Sequence, residues 1–265
     1  MSDEPTAGKK LFDTLQGWCD GHGVTIVLDS TLGLGAQFSS EDPKAPMLMV
    51  KSSQDEPVML HEACHAYFYF RQQAGGLPAE AVARLDAAIR FVRDAEPKLP
   101  VKEQDALARI FGPLSSYTNA ALSPTPTDYS FIGNLVDESR TTTTTVSDRE
   151  GHPMDNFDEF CASLSATAAY GDFGAFSKQM RAFQKAGAEN PQIAPLYNST
   201  VQVLSAAVPL VSGYASQLRA ANGFGPEPPE LMKMELNLAK MSGLLQELQA
   251  VSLSAEKTPG LPAKR

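Results

Sequence analysis

Apolar residues recur at helical spacing near the start of the chain. In "GKKLFDTLQGWCD" (8–20), Leu11, Leu15 and Trp18 share one side, and "GHG" stops the pattern. The next apolar runs are short and bounded by Gly, Pro and Ser. "VTIVLD" (24–29) and "PMLMVKS" (46–52) therefore predict strands, with a weak third at Ala36–Ser39 in the polar stretch between them. Helical patterns then dominate. "DEPVMLHEACHAYFYFRQQAGG" opens on Asp55–Glu56–Pro57 and closes on Gly75–Gly76, which suits a helix start and stop. The segment 78–96 carries Val82, Leu85, Ile89 and Val92 on one side, and 102–112 predicts another helix.

From Pro113 to Pro153 the chain is rich in Ser, Thr, Pro, Asp and Gly, which predicts irregular structure with a short helix around Ile132–Glu138. A helix restarts over 155–171, capped by Asp155 or Asn156, and three helical segments follow. Pro209 inside the second of these should start or kink a helix. The tail from Ser254 is polar and expected to fray. The fold class is thus α+β, a small N-terminal sheet followed by many helices.

Composition narrows the functional classes. With 265 residues, 43% hydrophobic and 20% charged, the chain can bury a full core. A net charge of −9 argues against nucleic acid or an anionic membrane as partner. The polar, acidic start does not read as a signal peptide, and no run of 18 apolar residues predicts a membrane span. Three cysteines make no disulfide framework. A cytoplasmic location, or export without a cleaved signal, is the expectation.

The chemistry concentrates in "VMLHEACHAYFYF" (58–70), which holds two of the four histidines. His61 and His65 lie one turn apart on one helix face, so both imidazoles can reach one ion. Glu62 sits ~100° round from His61, outside the ligand set yet near a water on that ion. The division suits hydrolysis: neutral imidazoles leave Zn2+ strongly Lewis-acidic, and the neighbouring carboxylate serves as general base. The strand "PMLMVKS" just before this helix is placed to act as a flanking edge that holds an extended peptide.

"LHEACHAYF" resembles the active-site helix of the zincin metallopeptidases, in which H-E-x-x-H packs against a small sheet. The match covers about ten residues and is specific for the superfamily, not for a substrate. The metzincin extension with a later Gly and third His is absent from "HEACHAYFYFRQ", so the resemblance implies a gluzincin-like third ligand from elsewhere. "EFCA" at the start of an Ala-rich helix is similar to the glutamate helix of gluzincin-like enzymes, including bacterial toxin and effector peptidases, which implies Glu159 as that ligand. Glu138, followed by Arg140, is the competitor.

Asp158 or Asp155 is then positioned to accept from a ligand imidazole. His152 is the candidate to stabilise the oxyanion, with Tyr129 as alternative. Cys64 and Cys161 flank these residues and read as small buried hydrophobes or as an oxidation-sensitive pair. The implied organisation is a zincin-like catalytic region at 1–171 and a helical region at 172–265 packed on it. The function expected is a zinc peptidase acting on peptides or proteins. The other class is a non-catalytic helical interaction protein on the same scaffold.

Overall fold

The first helix, α1 (Leu11–Gly21), forms as its apolar spacing dictates: Leu11, Leu15 and Trp18 are all buried. Gly23, with φ of 72°, takes the left-handed turn that carries the chain out of α1. Three four-residue strands follow, β1 (Thr25–Leu28), β2 (Ala36–Ser39) and β3 (Met47–Val50). Their order across the sheet is β1-β3-β2, with β1 parallel and β2 antiparallel to β3. Leu48 and Val50 face the core from the central strand.

This order corrects one expectation. β3 is paired along both sides, so it offers no edge to a peptide. Its closeness to the next helix in sequence makes it look like the flanking strand, but β2 takes that place.

The helices are α2 (Glu56–Gln73), α3 (Ala79–Ala95), α4 (Phe157–Tyr170), α5 (Phe173–Glu189), α6 (Ala194–Asn222) and α7 (Pro229–Ala250). This computed structural model describes residues 10–32, 36–53, 56–77, 79–95, 156–191, 193–223 and 226–250. The helix expected at 102–112, the stretch 113–153 and the tail from Ser254 lie outside them. The described residues form an α+β protein, a small mixed sheet with mostly helical surroundings. No described helix is long and apolar enough to cross a membrane.

α4 is the central element. Every residue from Phe160 to Ala169 is buried, so the helix has no solvent face along that length. A helix apolar or small all round belongs in the middle of a core, and α2, α6 and α7 surround α4. Its small residues let the neighbours come close. Asn237 of α7 donates to the Ala168 carbonyl at 2.9 Å, a buried bond that fixes α4 lengthwise.

α6 approaches α2 as closely, because at Gly213 any Cβ would meet Tyr67 Oη at 2.9 Å. The adjacent Tyr214, fully buried, donates its hydroxyl to the Leu60 carbonyl at 3.2 Å. Pro209 lies within α6, and the helix continues through it as one element. An interior Pro costs about 3 kcal/mol. Burial of Val201, Leu204, Val208, Val211 and Leu218 along the same helix outweighs that cost.

One hydrophobic core runs from Leu11 of α1 to Leu248 of α7. The Leu- and Met-rich α7 contributes Leu231, Met234, Leu238 and Met241 to it, as its spacing suggests.

Candidate metal centre

Two helices build the site. α2 places His61 and His65 one turn apart, and both point at the N-terminal turn of α4. That turn is held by two anchors. Asn156 caps it, its side-chain oxygen accepting from the amides of Asp158 at 2.9 Å and Glu159 at 3.0 Å. Such a cap contributes about 1 kcal/mol. Asp86 of α3 accepts the Phe157 amide at 2.7 Å, tying α3 to the same turn.

Asp158 and Glu159 are thereby presented to the histidines. Glu159 Oε2 stands 3.4 Å from His61 Nε2 and 3.6 Å from His65 Nε2, and the two Nε2 atoms are 3.1 Å apart. Asp158 Oδ2 lies 3.0 Å from His65 Nδ1. It accepts the Nδ1 proton and so leaves the Nε2 lone pair of a neutral imidazole facing His61 and Glu159.

The donor set can be tested against an ion. A tetrahedral Zn2+ with donors at about 2.0–2.2 Å holds those donors about 3.3–3.6 Å apart. The three separations observed fall around that value. His61, His65 and Glu159 are also the one His/Cys/Asp/Glu group among the described residues whose ligand atoms converge in this way. Two imidazoles and one carboxylate fit zinc and leave a fourth position free.

Without an ion the cluster balances itself with protons. For Glu159, burial raises the carboxyl, but hydrogen bonds and charge from His61 and His65 outweigh this and hold it at about 2. For His65, burial favours the neutral ring, but hydrogen bonds to Asp158 and Glu159, with Asp158 and Glu62 charge, raise it to about 10. His65 is then protonated at neutral pH, whereas Glu159 is already ionised.

An ion must expel the His65 proton, so affinity rises with pH until about 10. Zinc titrated into metal-free protein at about pH 7.5 should release about one proton. Calorimetry in buffers of different ionisation enthalpy measures this as a slope near one, and a zero slope would contradict it.

Glu62 stands beside the donors and not among them. Its Oε2 accepts the backbone N–H of Phe38 on β2 at 2.8 Å, and its charge acts on His65. Cys64 and Cys161 are buried and free. Burial pushes both thiols well above their ordinary range, aided by Cys161 and then Asp158 at Cys64 and by Asp158 and then Asp86 at Cys161, so neither is a ready thiolate. His22 stacks on Trp18, with ring centroids 4.3 Å apart, and Nδ1 lies 2.8 Å from the Trp18 carbonyl.

Of the residues singled out from sequence, His61, His65, Glu159 and Asp158 come together, with Glu62 adjacent. His152, Tyr129, Glu138, Arg140 and Asp155 lie outside the described residues. The Phe38 contact has no sequence signature, because its donor is backbone. Comparison with protein-family models, with curated proteins and with solved structures finds no match to this chain.

Proposed function

We propose that this chain is a zinc-dependent metallopeptidase of zincin-like fold, with His61, His65 and Glu159 holding Zn2+ and Glu62 as general base. The observation that carries the reading is the trio of donor separations, 3.1, 3.4 and 3.6 Å, with a glutamate one residue from the first ligand.

Bound there, zinc would supply Lewis acidity toward water and toward an amide carbonyl. The protein's own groups do the rest. Asp158 keeps His65 in the donor tautomer by accepting at Nδ1. Glu62, whose Oε2 accepts the Phe38 N–H at 2.8 Å, stands beside the donors as the group to take a proton from the attacking water and deliver it to the leaving nitrogen. Met59, Leu60, Ala63 and Phe160, neighbours of the ligands along α2 and α4, are buried, so the ligand residues are rooted in a dry core.

The test is metal content together with hydrolysis. The purified chain should hold about one zinc, cleave internally quenched peptides, and lose cleavage to a chelator with recovery on adding zinc. A folded chain that takes up no zinc refutes the proposal. Zinc without hydrolysis favours the non-catalytic scaffold.

A further inference from the structure

β2 pairs with β3 on one side, and no other described strand pairs with its outer edge. An open edge ordinarily leaves its N–H groups to solvent or to another chain. Here the Phe38 N–H is taken by Glu62 Oε2 at 2.8 Å. The carboxylate assigned as base therefore caps the strand donor that a docking peptide would use.

A second contact holds the same strand to α2. The Phe38 and Tyr69 rings lie 5.7 Å apart, with Tyr69 two turns beyond Glu62. Releasing Glu62 would leave this ring contact in place, so β2 need not move when the hydrogen bond opens. Both rings are only partly buried, which gives an arriving apolar side chain a surface to cover.

We propose that Phe38 N–H and Glu62 form a latch, which an extended peptide opens by pairing with β2. This inference rests on the peptidase reading for the role of Glu62. In antiparallel pairing the peptide residue opposite Phe38 offers its C=O to the Phe38 N–H and donates its own N–H to the Phe38 carbonyl. The peptide carbonyl replaces Oε2 as acceptor, and the carboxylate is freed from the strand. Hydrolysis is thereby coupled to strand docking. The substrates are peptides long enough to lie along β2, and shorter ones meet a base that is still tied.

The zinc-loaded full chain is assayed with two internally quenched random-sequence pools, four and ten residues long. The latch predicts a kcat for the longer pool at least ~10-fold above the shorter, the scale of one hydrogen bond to a charged group. Phe38→Pro removes the donor without costing a bond to β3, since that N–H does not serve the ladder. It should raise kcat on the short pool and raise KM on the long one, so that the preference narrows.

Amide exchange reads the latch without any change at position 38. The Phe38 N–H should exchange at least ~10-fold faster in Glu62→Ala than in wild type. Equal exchange in the two proteins, or a length preference that Phe38→Pro leaves intact, overturns the latch while the peptidase reading stands. If wild type cleaves neither pool, the peptidase reading falls and the coupling with it.

Discussion

Glu62→Gln is expected to keep one zinc per chain and to lower kcat for peptide hydrolysis by about 10²–10⁴-fold, the usual contribution of a positioned general base. Glu62 is not among the three converging donors, so the substitution spares the ion. The Gln side-chain oxygen can still accept the Phe38 N–H, so the contact between β2 and α2 survives. What disappears is the capacity to take a proton. Wild-type rates in this variant would remove Glu62 from the mechanism, and loss of zinc would make it a ligand instead.

The second large effect is expected at Glu159. Glu159→Ala should weaken zinc binding by more than about 100-fold, because groups that merely support a ligand are already worth about 10–100-fold. Competition with a chromophoric chelator measures it. Glu138→Ala is the necessary counterpart, since Glu138 is the competing third ligand in the sequence. With Glu159 as ligand, Glu138→Ala binds zinc as wild type does. The opposite pattern would move the third ligand to Glu138, and the 3.4 and 3.6 Å distances would then describe an ion pair alone.

The parts of the site legible in sequence are those set by local geometry. His61 and His65 are four apart on a helix, and helical periodicity alone puts them together. Asn156, Asp158 and Glu159 are legible as a capped, acidic first turn, and their approach to the histidines follows from the small residues behind them.

What was not legible depends on strand order. Nothing in "AQFS" says that it, rather than "MLMV", lies at the edge beside α2. Sequence adjacency favours β3, but a four-residue strand can take either side of its neighbour at little cost in chain length. The Phe38–Glu62 contact inherits that ambiguity. Pro209 starts no new helix, for a different reason. Its local cost is real, but a 29-residue helix with 14 buried residues distributes enough burial on either side to absorb it. The core positions of α1 and α7, where periodicity and burial agree, needed no tertiary information.

The pins on α2 and α4 bear on when the site is completed during synthesis. His65 and Glu159 are 94 positions apart, so the histidine pair emerges well before the third donor. The buried hydrogen bonds that fix those helices come later still. Leu60 is held by Tyr214 and Ala168 by Asn237, from the last two described helices. A nascent chain ending before Asn237 carries all the ligands but lacks both the Asn237 bond and the α7 packing on α4. On the proposed reading, the packing that fixes the Glu159 helix is therefore completed only after all three donors have been made, which ties assembly of the site to completion of the helical bundle.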